Sequence, residues 1–222
     1  DNTDLMVQIN GIVNEYIHVE KPDQEVVPSR QFDISKIDFE LLSREFAHTR
    51  RKNLLLRDLD ELVNQQLAKM LFANPQRIDY YDRYQEIIDA YNAEQNRATI
   101  EKTFMDLMEL ASSLDMEQQR YVREGFSSDE ELSVYDLLFS ENLTKQEIET
   151  IKKVSVDLLT KIKQQIAKLD HWTDKQETKA IVDNLIRNTL WQELPNSYDV
   201  SDIQTYQKKI YEYVYMRYPE VA

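Results

Sequence analysis

The sequence predicts an all-α protein, a bundle of about nine amphipathic helices joined by short turns. Three observations predict it. Helix-start signatures recur along the chain, helix stops are equally legible, and apolar residues return every three to four positions.

Residues 1–34 differ from the rest. They hold Pro22, Pro28 and one of only two glycines, with β-branched stretches at Val7-Gln8-Ile9 and Tyr16-Ile17-His18-Val19. This segment reads as an irregular or strand-like linker, a remnant of an upstream domain, and residues 35–222 as the helical C-terminal domain. The start at Asp1, without a methionine or a signal-peptide pattern, predicts a piece of a longer chain. Length alone allows one large domain or two small ones.

From Ser35 onward the pattern is helical. Asn74-Pro75 closes a helix, because proline lacks the N–H that the next turn needs. Asp115-Met116-Glu117-Gln118 and Ser128-Asp129-Glu130-Glu131 each place a capping side chain three residues before Glu or Gln. Gly125, between them, can take the left-handed conformation that ends a helix. Thr144-Lys145-Gln146-Glu147 repeats the start signal and opens the clearest helix. There Ile148, Ile151, Leu158, Ile162 and Leu169 form one stripe over residues 144–169, roughly 39 Å long. Asp170-His171-Trp172 is expected in the turn that follows. Thr173-Asp174-Lys175-Gln176 starts the next helix, with Ile181, Leu185 and Leu190 as its stripe, and Pro195 ends it. Ser201-Asp202-Ile203-Gln204 opens the last helix, whose aromatic-rich face carries Tyr206, Ile210, Tyr213, Val214 and Tyr218.

Composition excludes several kinds of chemistry. Average usage would give roughly 7% glycine, but Gly11 and Gly125 stand alone and far apart. Neither a phosphate-cradling loop nor a dinucleotide-binding turn can be built from them. There is no cysteine, so there is no thiol nucleophile and no cysteine-ligated zinc. Three scattered histidines (His18, His48 and His171) give no helical two-histidine metal motif. Asp174 followed by Glu177-Thr178-Lys179 imitates a nuclease pattern, but on a helix residues two apart diverge by about 200° and cannot share a metal. No catalytic, cofactor-binding or metal-binding residue is therefore assigned. No apolar run approaches the ~20 residues of a membrane span.

The net charge is −14, from 27 basic and 41 acidic residues, and it is unevenly spread. Residues 109–143 hold nine acids against two arginines, whereas Arg44, Arg50, Arg51, Lys52 and Arg57 face only Glu45 within 44–57. Arg50, Arg51 and Lys52 are candidate contacts for phosphate or an acidic partner, unless they form a solvated face paired with Asp58, Asp60 and Glu61. Trp172, Tyr206, Tyr213 and Tyr218 are read first as core packing, Trp172 as a plug at a helix junction with its N–H tied to a backbone carbonyl, and second as candidate partner-docking residues. Met105 and Met108 are read as core filler.

Several stretches resemble a known family. Ile34-Ser35-Lys36-Ile37-Asp38-Phe39-Glu40-Leu41-Leu42, then Arg51-Lys52-Asn53, resemble the start of the C-terminal helical region of type I restriction enzyme R subunits. So do Asn74-Pro75-Gln76-Arg77-Ile78-Asp79, Tyr84-Gln85-Glu86-Ile87-Ile88 and Tyr91-Asn92. The runs Arg120-Tyr121-Val122-Arg123-Glu124-Gly125-Phe126-Ser127, Glu130-Glu131-Leu132 and Tyr135-Asp136-Leu137-Leu138 look similar as well. The end is the most alike: Leu169-Asp170, Trp172, Lys175-Gln176, Ala180, Leu194-Pro195, Tyr198, Val214-Tyr215 and Tyr218. The resemblance implies the C-terminal helical domain of an R subunit, a non-catalytic module that docks the DNA translocase and nuclease onto the methyltransferase core. It implies methyltransferase and specificity subunits as partners, DNA reached through the complex, and a prokaryotic cytoplasmic location. ATP and magnesium belong to the parent protein's motor and nuclease, with no cofactor expected in this stretch. A second reading makes it an accessory domain that guides DNA with the basic island at 44–57.

Overall fold

The computed structural model describes residues 37–94 and 96–219. Among them are nine α-helices, one 3-10 turn and no strand, so the chain is all-α. The strand-like reading of residues 1–34 lies outside the described residues. The helices fall into two compact units, residues 1–120 and 121–222.

In the first unit, α1 (Phe39–His48) is followed by α2 (Lys52–Ala73), the 3-10 turn Pro75–Arg77, α3 (Ile78–Ala93) and α4 (Arg97–Gln118). Asn74 ends α2 as predicted, and its side chain accepts the Gln76 N–H, so one residue stops one helix and caps the next turn. Helix α4 is the central element and packs against α1, α2 and α3. Its buried Phe104, Leu107, Leu110, Ala111 and Leu114 meet Leu59, Val63 and Leu67 of α2. Phe46 of α1 stacks on Phe104 with ring centroids 3.6 Å apart, which fixes α1 to the same core. Of the two methionines expected inside, Met108 is buried and Met105 is exposed on the far side of α4.

Asp115–Gln118 does not open a helix. It forms the end of α4, which has already started at Arg97 behind an Asn96 cap that accepts the Thr99 N–H. A capping signature needs a chain break before it, and none precedes Asp115.

The short helix α5 (Arg120–Arg123) leads to Gly125, whose φ of +84° is left-handed as expected. In the second unit, α6 (Asp129–Leu138), α7 (Lys145–Ile166), α8 (Gln176–Glu193) and α9 (Val200–Arg217) form a closed four-helix arrangement. Each packs on the next, and α9 returns to α6. Helix α7 spans 22 residues rather than the 26 of the predicted segment, with Ile151, Leu158 and Ile162 buried and Ile148 and Leu169 packed at the edge.

Caps explain where these helices begin. Thr144 and Glu147 form the complete reciprocal box. Ser128 accepts the Glu131 N–H, while the Glu131 carboxylate accepts from Ser127. The last helix starts two residues earlier than read, because Asp199 and Asp202 make the reciprocal box and Ser201 lies inside. Thr173 caps nothing. Helix α8 begins at Gln176 behind Lys175, which makes no side-chain cap bond. The turn before it holds His171 at φ +45°, and the Thr178 hydroxyl in the first turn of α8 lies within hydrogen-bond distance of the carbonyls of Trp172, at 2.7 Å, and Lys175, at 2.9 Å.

Candidate partner-docking site

Helix α9 and the turn before α8 build the aromatic block that the sequence singles out. Trp172 is only 1% exposed and donates its indole N–H to the Tyr218 carbonyl at 2.6 Å. Tyr211 and Tyr215 pack edge-on against its ring. Tyr213 is also 1% exposed, and Tyr206 and Tyr218 are half-buried against the same core. Trp172 and Tyr213 are therefore core packing, the first of the two readings given to each, and not docking residues. Their surfaces are spent on internal packing and present nothing to a partner. The asymmetric part of this block is polar: Glu130 of α6 pairs with Lys163 of α7, whose ammonium lies over the Tyr218 ring. Burial alone would raise the Glu130 carboxyl, but hydrogen bonds from Lys163 and Tyr218 and the charges of Lys163 and Arg217 together outweigh it and hold the group below its ordinary range.

Burial pushes the hydroxyls of Tyr198, Tyr206, Tyr213 and Tyr218 above the usual tyrosine range. Tyr198 donates to the Leu138 carbonyl at 2.8 Å, a bond its phenolate could not make. A pKa raised in the folded state means that the fold holds protons the unfolded chain releases. The stabilisation is therefore complete below pH ~10 and is lost as pH rises above it. Tyrosine absorbance at 295 nm, followed with far-ultraviolet circular dichroism, is expected to show that tyrosine ionisation is completed only together with unfolding. Full ionisation with the helices intact would contradict this.

The surface carries other features. The α8 stripe is Val182, Ile186 and Leu190, all buried, rather than Ile181, Leu185 and Leu190. Ile181 is 42% and Trp191 49% exposed, on the outward face of α8. Asn184, Arg187 and Asn188 lie on that face too, with Arg187 hydrogen-bonded to Asn184. A solvated helix face on so acidic a chain is expected to be charged. This one carries an exposed tryptophan and two asparagines beside its charged Glu177 and Arg187. Trp191 was not among the residues singled out from the sequence, yet it sits half a turn from Val182, about 180° at 100° per residue.

In the first unit, the basic island is partly spent. Arg44 pairs with Glu40, and Lys52 pairs with Glu101 of α4 at 2.8 Å while lying 4.7 Å from the Phe46 ring centre. Lys52 thus ties α2 to α4. Arg50 and Arg51 are exposed at the α1–α2 turn, and among the described residues Arg57 pairs with its neighbour Asp58, at 3.4 Å. Asp60, expected among the island's partners, accepts instead from the Tyr84 hydroxyl at 2.8 Å. Glu177 and Lys179 both lie in the first turn of α8, after Asp174 in the preceding turn. Among the described residues no group of three or more His, Cys, Asp or Glu is arranged to hold a metal ion. No helix among them is long and apolar enough to cross a membrane.

The fold defines an all-α module of two helical units with exposed faces of contrasting chemistry. Residues 2–218 match a family described as type I restriction enzyme HindI endonuclease subunit-like, C-terminal, and the chain belongs to that family. Comparison with curated proteins gives no match, and neither does comparison with solved structures.

Proposed function

We propose that this domain docks the restriction subunit of a type I restriction enzyme onto its methyltransferase core, without chemistry of its own. Family membership over residues 2–218 gives the setting. The observation that carries the docking role is the outward face of α8, where Trp191 and Ile181 stand exposed beside Asn184, Arg187 and Asn188. Centres of protein interfaces are depleted in charge and enriched in tryptophan and arginine, and a central tryptophan contributes on the order of 2 kcal/mol or more. On this reading the methyltransferase and specificity subunits are the partners, and DNA is reached through the complex. ATP and magnesium act elsewhere in the parent subunit, and the complex works in the prokaryotic cytoplasm.

The test is co-purification of the chain with the methyltransferase and specificity subunits, set against retention of duplex DNA at about 150 mM salt. Removing α9 is unsuitable, because its Ile203, Ile210, Tyr213 and Val214 are core residues. Trp191→Ala is the sharper variant. It is expected to keep its helical circular dichroism and to weaken association with the subunits by tenfold or more, the order expected for a central anchor. Undiminished association would remove the α8 face from the interface. Preference of the unaltered chain for duplex DNA would favour the DNA-guiding role.

A further inference from the structure

Helix α2 has two unlike sides. Leu56, Leu59, Leu62 and Val63 are buried, while Leu54 is 40% exposed on the opposite side. Arg57 stands one turn after Leu54 on the same side of the helix, and Arg51 is the N-cap residue just before the first turn. Arg50 extends the cationic edge at the turn. The arginines have no evident stabilising role there. The first turn of α2 contains no acid and Arg51 makes no side-chain cap bond, although a helix start favours negative charge. The Arg57–Asp58 contact joins adjacent exposed side chains, a kind of pair worth little. Arg50, Arg51 and Arg57 outnumber Asp58 and Glu61 on this side, so it keeps a positive excess in a chain carrying −14, and what that excess complements is an anionic surface.

The composition distinguishes the two kinds of anionic partner. Three arginines can neutralise about three phosphates, a contact that weakens steeply with salt. The exposed Leu54 at their centre has nothing to contact on a phosphate backbone. An apolar centre inside a ring of charge is instead the anatomy of a protein interface. We propose that the outer face of α2 docks an acidic protein surface, with Leu54 entering an apolar socket and Arg50, Arg51 and Arg57 pairing with carboxylates around it. This inference rests on the docking role proposed above and supplies its electrostatic contact.

The experiment uses the full chain with the methyltransferase and specificity subunits. Three variants are compared with the unaltered protein: Arg50→Glu/Arg51→Glu/Arg57→Glu, the same three positions changed to lysine, and Leu54→Ala. All alter exposed side chains, and circular dichroism checks that each remains helical. The reversal variant is expected to associate at least tenfold more slowly at low salt, with the difference shrinking as salt rises. The lysine variant should keep most of the association rate, and Leu54→Ala should dissociate faster. If the unaltered chain assembles and the reversal variant assembles equally well, the α2 inference falls while the docking role stands. If reversal abolishes only duplex DNA retention, the face serves phosphate and the inference is overturned. If the unaltered chain itself does not assemble, the docking role falls and this inference with it.

Discussion

Trp172→Ala is expected to destabilise the second unit by about 3–5 kcal/mol, the range for deleting a buried aromatic side chain. The ring is nearly sealed, so the substitution opens a cavity between α9 and the turn before α8. It also removes the N–H that holds the Tyr218 carbonyl just beyond α9. Two consequences follow in order. The end of α9 frays first, since its last residues lose their tie to the turn. The unit then unfolds at a lower urea concentration, which urea unfolding monitored by far-ultraviolet circular dichroism will measure. Trp172→Phe separates the causes: it keeps most of the volume, loses the hydrogen bond, and should cost markedly less. Equal losses from both variants would show that the hydrogen bond dominates over packing.

The helical class was legible because its signals are local. Thr144 and Glu147 reach each other within one turn, so their box could be read from four letters and is present as read. The start of α9 was misplaced because Asp199 and Ser201 both offer a capping oxygen two residues apart. The neighbouring Asp202 completes the box only with Asp199. In α8 the phase of the stripe was ambiguous by one residue. Ile181 and Val182 fit the spacing about equally well, and packing against α7 and α9 selects Val182. That one-residue slip also hid Trp191, since the exposed face is defined only once the buried face is fixed.

The interaction residues were less legible because exposure depends on distant partners. Nothing near Trp172 announces that the Tyr218 carbonyl, 46 residues later, will accept its N–H. Nor does the sequence near Lys52 announce Glu101, 49 residues away on α4. The basic island was visible as a composition, and the structure divides it into a packing lysine and outward-facing arginines. The division into two units was not legible either. Its boundary between Arg120 and Tyr121 carries no Pro, Gly or Ser-rich linker and runs through the short helix α5.

Glu117→Ala should destabilise the first unit by about 3–5 kcal/mol, comparable with Trp172→Ala and for a different reason. Glu117 near the end of α4 and Arg77 at the end of the 3-10 turn are bonded at 3.0 Å, with side chains 6% and 3% exposed. The same Glu117 oxygen lies 3.3 Å from Arg120, and the other faces the Tyr80 hydroxyl at 3.5 Å. Burying an ion pair is expensive, so the pair as a whole need not add much net stability over an apolar one. Removing the carboxylate alone is different, because Arg77 stays buried and charged while it loses the carboxylate bonded to it. A double-mutant cycle isolates this effect. Arg77→Leu/Glu117→Met, which removes both charges and fills the space, is expected to be closer to the unaltered stability than Glu117→Ala is. Glu117→Gln, which keeps the shape and loses the charge, should fall near Glu117→Ala. If Glu117→Gln proves nearly neutral, the hydrogen-bond geometry rather than the charge holds α4 to the turn, and the electrostatic account of this pair is wrong.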